Sequence, residues 1–240
     1  MMIMILSTVL NNELKNLKIS VVLPCRNEEG ALGDCLRTIK KVLADNSLTG
    51  EIIVSDSSSD HCPEIARDFG AIVVKHDLVG YGRAYLEGFK HLTGDIIIMG
   101  DPDGSYDFRE IPNFLKALSD KDLVIGSRFR GNIAKGAMPW SHRYVGSPLI
   151  LSLMRHLYGL ELTEPSTGFV AIRRLALEKL VLRQPGMEFA SEFLAEAKKR
   201  GLRIGEFAID YRLRQGASKL HTLRDGFRHL SFLVGRWIKN

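Results

Sequence analysis

Two spacings of apolar residues alternate along the first 110 positions. Lys18–Cys25, Glu51–Ser55, Ala71–Lys75 and Asp95–Met99 are short, nearly unbroken apolar runs, the pattern of strands covered on both faces. Between them, Glu29–Leu43 places Leu32, Leu36, Ile39 and Leu43 at helical spacing, while Pro63–Phe69 and Tyr81–Leu92 read as two further helices. Strands and helices alternating through short links predict an α/β fold: a mostly parallel, doubly wound sheet with right-handed crossovers. Ligands of such sheets bind beyond the carboxyl ends of the strands.

The rhythm changes after residue 110. Helix Arg109–Leu118 and strand Asp122–Gly126 lead into a basic, Gly-rich loop that runs to about Arg143. Tyr144–Tyr158 reads as a helix, Phe169–Ile172 as a strand, Ser191–Arg200 as a helix and Ile204–Ile209 as a strand, and Leu223–Ile238 closes as a basic helix. No repeat, low-complexity tract or linker composition divides the chain. The expectation is one domain over 1–240, with a binding half at about 18–110, a second half at about 111–220 and a basic C-terminal helix at about 221–240.

Composition adds less than pattern. The 240 residues are 45% hydrophobic and 25% charged, as in an ordinary globular protein. The formal charge of +5 is modest, but basic residues crowd Arg128–Arg143 and Arg212–Lys239, which points to anionic partners such as phosphates or an acidic membrane surface. Nucleic acid is not expected, because no helix-turn-helix, zinc-finger spacing or aromatic RNA-binding signature accompanies those charges. Cys25, Cys35 and Cys62 have no metal-ligand spacing and read as reduced thiols. No segment reaches a transmembrane length; Val145–Leu160 comes nearest and is interrupted by Pro148, Arg155 and His156.

The chemistry gathers at the strand ends. The run Ile96–Met99 stops at Gly100-Asp101-Pro102-Asp103-Gly104, two carboxylates one residue apart. Hard oxygen donors there suit Mg2+ or Mn2+, and those ions suit a diphosphate. The first strand ends in Pro24-Cys25-Arg26-Asn27-Glu28, whose side chains can meet a ribose or base or cap the following helix. At the end of the second strand Asp56 is placed to accept from a base N–H, with Ser59 or Asp60 as a helix cap. Gly80-Tyr81-Gly82-Arg83 opens a helix, where glycines let backbone amides approach phosphate and Arg83 adds charge. It is neither a Walker loop nor a dinucleotide fingerprint, which counts against kinase, ATPase and dehydrogenase readings.

Together and in this order, 21–29, 53–60, 80–84, 100–107, Ile125-Gly126-Ser127-Arg128 and Arg214-Gln215-Gly216-Ala217-Ser218-Lys219-Leu220 resemble glycosyltransferase family 2 and its GT-A fold, from Ile19 to about Leu233. Within it the resemblance is greatest to dolichyl- and polyprenyl-phosphate sugar synthases. It implies that Pro24, Arg26, Glu28 and Asp56 line a nucleoside pocket, that Gly82 and Arg83 lie near the pyrophosphate, and that Asp101 and Asp103 hold a divalent cation. Ser105 stands where relatives can carry a Gln facing the metal. Arg128, Arg143 and Ser147 match positions that hold the acceptor's phosphate, and Arg214, with Lys219, would sit over the diphosphate as a mobile clamp. Two departures bear on the acceptor: Glu164-Pro165-Ser166-Thr167-Gly168-Phe169 replaces an Asp-x-His-Cys-Gly-Met seen in close relatives, and many relatives continue into membrane helices.

A polyprenyl phosphate is already an anionic nucleophile and needs cations, not a base. The expected enzyme is therefore an inverting, metal-dependent transferase moving sugar from a nucleotide-diphosphate donor to a polyprenyl phosphate, held peripherally or by a membrane-embedded partner at the cytoplasmic membrane face. A hydroxyl acceptor would need a carboxylate base, for which Glu188, Glu192 and Asp210 are available, whereas Glu196 reads as a solvated helix face. A non-catalytic nucleotide-sugar or lipid-phosphate binder and a nucleotidyltransferase are the other readings. The C-terminal helix, basic and aromatic, reads as an interfacial anchor, a helix docked on the core, or the stub of a membrane region.

Overall fold

A computed structural model describes residues 17–216 and 222–238. Seven strands form one sheet in the order β3-β2-β1-β4-β6-β5-β7. They are β1 (Ile19–Cys25), β2 (Gly50–Asp56), β3 (Ile72–Lys75), β4 (Ile96–Met99), β5 (Leu123–Ser127), β6 (Val170–Arg173) and β7 (Ile204–Ala208). All neighbouring pairs are parallel except those of β6, which runs antiparallel to both β4 and β5. The helices are α1 (Glu29–Asp45), α2 (Cys62–Asp68), α3 (Tyr81–Phe89), α4 (Ile111–Ala117), α5 (Ser147–Tyr158), α6 (Arg174–Leu177), α7 (Phe189–Lys199) and α8 (Thr222–Ile238).

The apolar strand runs are explained by burial on both faces. Ile19, Val21 and Leu23 of β1, with Ile96 and Ile98 of β4, join a core under α1 and α2 that includes Leu32, Leu36, Phe114 and Phe169. The alternate residues Val22, Ile97 and Met99 face a second core with Tyr85, Ile150, Met154, Phe189, Phe193 and Leu233. Period-2 alternation thus feeds two cores, and no solvent face remains to show as polar positions.

Three helical regions differ from expectation. The Arg109–Leu118 helix starts later as α4, because Pro112 occupies the first turn and a 3-10 turn at Phe108–Glu110 precedes it, capped by Asp107 accepting from the Arg109 N–H at 3.1 Å. The Tyr144–Tyr158 helix splits into a π-turn at His142–Gly146 and α5, again with proline in the first turn. The four-residue α6 had no periodicity long enough to announce it.

Candidate active site

β1, β2 and β4 run parallel, so their polar carboxyl-terminal extensions meet along one edge of the sheet. The segment after β4 turns tightly: the Ser105 N–H and Oγ both donate to Asp103 Oδ1, at 2.9 and 2.5 Å. Asp103 Oδ2 pairs with Arg214 at 2.5 Å. Two backbone bonds, Gln215 N–H to Asp103 O (2.8 Å) and Arg212 N–H to Ser105 O (3.0 Å), stitch 212–215 along this turn. An Arg212–Asp107 pair at 2.6 Å ties the same two segments. The expected clamp residue is therefore laid against the carboxylates, and Ser105 shapes Asp103. Lys219 lies outside the described residues.

Asp101 is held differently. Its Oδ1 is buried and, among the described residues, accepts no hydrogen bond. Burial pushes its carboxyl up to about 7, with the Asp103 charge adding to the rise against the pull of Arg214 and the Tyr81 hydroxyl. Gly168 makes room here: a Cβ on it would lie 2.5 Å from Asp101 Oδ2 and 2.8 Å from the Tyr81 hydroxyl. The Gly168 N–H in turn donates to the Tyr106 hydroxyl at 2.9 Å. A buried, unsatisfied carboxylate oxygen beside a second carboxylate is a donor set suited to a small hard cation.

A cavity of about 290 Å3 opens between the ends of β1 and β2, lined by Asn27, Glu28, Gly30, Ser59, Asp60 and Gln215. Asp60 closes its floor by taking the N–H groups that begin both neighbouring helices, Cys62 at 3.1 Å and Glu29 at 3.1 Å. Asn27, at a left-handed φ of 54°, accepts the Ser59 N–H at 2.9 Å. Pro24 is half-buried and Arg26 exposed nearby. Asp56 is fully buried and paired with Lys75 at 2.7 Å, its register partner on β3. Sequence reasoning missed Lys75, whose place opposite Asp56 only the sheet register reveals.

The Gly80–Arg83 turn has a different reason for its glycines than expected. The N–H groups of Gly82 and Arg83 donate to Gly186 O (3.3 Å) and Pro185 O (3.1 Å), so these two amides face protein. A Cβ on Gly82 would sit 2.0 Å from Gln184 O, and one on Gly80 2.2 Å from Pro185 O. Glycine is required by backbone packed against backbone. Arg83 itself is exposed.

Arg128, expected on the acceptor's phosphate, already has a partner. Its Nε and a terminal nitrogen fork onto Glu164 at 2.8 and 2.7 Å, it donates to Ser166 O at 2.9 Å, and its guanidinium lies 5.1 Å over the Tyr211 ring. Both partners are buried. The glutamate of the departing 164–169 segment thus neutralises Arg128, which fixes the loop that carries Thr167 and Gly168. Arg143 stays half-exposed on the π-turn, stacked 5.4 Å from the Tyr144 ring, and Ser147 is buried at the start of α5.

The candidate bases lie elsewhere. Glu192 is fully buried and accepts the backbone N–H groups of Arg183 (2.9 Å) and Gln184 (2.8 Å), with Arg236 of α8 at 3.9 Å. Glu196, read as solvated, is buried too, pairing with Arg236 and accepting the Val181 N–H at 3.2 Å. A helix with charges on its buried face defeats a periodicity reading, because the arginine partner comes from 40 residues away. Glu188 meets Arg228 at 3.3 Å. Asp210 accepts the Asn132 N–H at 3.1 Å and serves a loop.

The family model described as Glycosyl transferase family 2 matches residues 20–181. The chain belongs to this family. It is 42% identical over 218 residues to the low-salt glycan biosynthesis hexosyltransferase Agl6 of Haloferax volcanii, an alignment covering 90% of this chain and 53% of that protein. The chain thus spans about half the length of that relative. It is 32% identical to a dolichyl-phosphate hexose transferase of the same organism, over 87% of this chain and 89% of the relative. Glucosyl-3-phosphoglycerate synthase from Mycobacterium tuberculosis, solved with Mn2+, uridine diphosphate and glucosyl-3-phosphoglycerate, superposes with a TM-score of 0.72 at 23% identity, covering 94% and 83% of the two chains. The family 2 chain therefore has a GT-A fold. Among the described residues no helix is long and apolar enough to cross a membrane.

Proposed function

We propose that this family 2 protein transfers a sugar from a nucleotide-diphosphate donor to a polyprenyl phosphate, with inversion and with a divalent cation. The observation that carries the proposal is the Asp101–Asp103 turn: two carboxylates at the end of a central strand, one with a buried unsatisfied oxygen, and an arginine laid against the other. Asp101 and Asp103 would hold Mg2+ or Mn2+, which when bound neutralises charge on the leaving nucleoside diphosphate. Arg214 exchanges its carboxylate partner for diphosphate oxygens, and Arg83 lies exposed at the start of α3 to meet the same anion. The cavity above Asp60 takes the nucleoside, with Glu28 and Asn27 at its rim. Ser105 and Tyr81 orient the two aspartates.

The acceptor reading rests on the likeness to the dolichyl-phosphate hexose transferase and on the surface around Arg143. Trp140, Tyr144, Val145 and Leu149 are exposed there, with Trp140 70% accessible. α8, packed on α5, exposes Phe227, Trp237 and Ile238. An arginine amid aromatic and aliphatic side chains fits a phosphate on a lipid tail at a membrane surface, where the protein would dock peripherally. Phosphate attacks the sugar's anomeric carbon directly, so no base and no covalent sugar–enzyme step is needed, and one displacement inverts the configuration. Burial of Glu192 against α8 and the 183–184 backbone supports this over a hydroxyl acceptor that uses Glu192 as its base.

Incubation with labelled UDP- and GDP-sugars, Mn2+ and polyprenyl phosphate in detergent tests the proposal. A labelled, organic-extractable, acid-labile product is expected from one donor, and Asp103→Ala should lower its rate by at least about a thousandfold with the fold intact. Full activity in Asp103→Ala would sink the metal role. Metal-dependent donor binding without any lipid product would sink the acceptor.

A further inference from the structure

The cysteines were not expected to act together, yet the fold joins two of them. Cys25 ends β1, its register partner Asp56 ends β2, and Cys62 begins α2. The two sulfurs and a carboxylate oxygen of Asp56 all lie within 4.8 Å of one another, and the three residues are buried. Ligand atoms around a tetrahedral zinc, with Zn–S near 2.3 Å, stand about 3.8 Å apart, so only a small contraction is required. Ser58 Oγ, 3.8 Å from Cys25 Sγ, stands beside the cluster.

We propose that Cys25, Cys62 and Asp56 form a site for a thiophilic divalent cation of the zinc class, distinct from the Asp101–Asp103 pair, and that its occupation opposes donor binding. Thiolates select such ions over Mg2+ and Mn2+. Charge also closes: two thiolates and a carboxylate around a divalent ion leave one negative charge, which Lys75 beside Asp56 neutralises. The hydrogen bond to Cys62 and burial push the Cys25 thiol up, so without an ion Cys25 keeps its proton. Binding forms two metal–sulfur bonds as two S–H bonds break, and both protons leave to solvent. The antagonism rests on the proposed nucleoside pocket. The Glu28 N–H, at the rim of that cavity, donates to Cys62 Sγ at 3.2 Å, and ligation engages the Asp56 carboxylate that the sequence reading sets against a base N–H.

The test titrates the reduced full chain with Cd2+ and follows thiolate-to-cadmium absorption in the ultraviolet. Absorption saturating at one equivalent is expected, lost in Cys62→Ser and kept in Cys35→Ser, whose thiol lies on α1 outside the cluster. No band in the wild type, or an equal band in Cys62→Ser, overturns the site. Should Cys62→Ser not fold, X-ray absorption at the zinc edge of the loaded wild type decides: two sulfurs support the site and light atoms alone refute it. Calorimetry with UDP and GDP in Mn2+ then reads the antagonism. At least tenfold weaker binding after one equivalent of Zn2+, absent in Cys62→Ser, is expected; unchanged affinity overturns the antagonism. Failure of both diphosphates to bind zinc-free protein would strike the nucleotide reading and leave the cadmium result standing.

Discussion

Two acidic clusters in this chain are held by different means. Asp101 and Asp103 sit on a turn beyond β4, with one oxygen unsatisfied and one arginine borrowed from 212–215. Glu188, just before α7, and Glu192 and Glu196 on it lie at helical spacing and point inward, where Arg228, Arg236 and the backbone of 181–184 meet them. In the first cluster burial works against the charge. In the second, N–H groups and guanidinium groups compensate much of it, although among the described residues one oxygen each of Glu188 and Glu192 is also buried without a hydrogen bond and burial still pushes the Glu192 carboxyl up. The lesson is that a carboxylate held against its own stability is a functional candidate, while one built into a network holds the fold.

The sharpest way to break this contrast is Asp101→Asn. Sugar transfer should fall at least about a thousandfold, while the melting temperature at pH 8 in EDTA rises, because a charge the fold resists has been removed. A variant that lost both would place Asp101 with the glutamates. Glu192→Ala should do the reverse, costing about 1–3 kcal/mol in chemical unfolding by stranding the N–H groups of Arg183 and Gln184. Glu192→Gln keeps an oxygen for them and should recover most of that loss.

The pH dependence comes next in size. The folded Asp101 carboxyl lies at about 7 against a reference of 3.8, so between those values the folded chain holds the extra proton. Stability therefore falls as pH rises through that window, and the penalty is complete above about 7. In EDTA the wild type should lose more melting temperature between pH 5 and 8 than Asp101→Asn does, about 2–4 °C for each kcal/mol of difference. Parallel curves would refute the perturbed carboxyl. Smallest is Arg228→Ala, which removes a half-exposed partner of Glu188 and should shift unfolding by no more than about 1 kcal/mol.

The fold was legible because both faces of the central strands are covered: Ile96–Met99 had to be continuous, and its Asp-x-Asp end had to lie at the sheet edge. Glu28, Asp101 and Asp103 were named by local chemistry, Pro24 and Arg214 by the family resemblance, and Asp103 and Arg214 do meet. What stayed hidden depends on distant partners. Nothing near Arg128 in sequence announces Glu164, nothing near Glu196 announces Arg236, and the Cys25–Cys62 approach needs two helix–strand junctions to converge. The antiparallel β6 was equally hidden, since apolar content is indifferent to strand direction.

The backbone seam at Gly82 and Arg83 has a consequence for exchange with solvent. Their amide protons are covered by the carbonyls of Gly186 and Pro185, and that segment is pinned through Gln184 and Glu192. Deuterium can reach these two amides only when residues 183–186 lift. The Gly80–Arg83 turn of the N-terminal half thus inherits its protection factor from the C-terminal half, and the two should exchange as one cooperative unit although a hundred residues separate them along the chain.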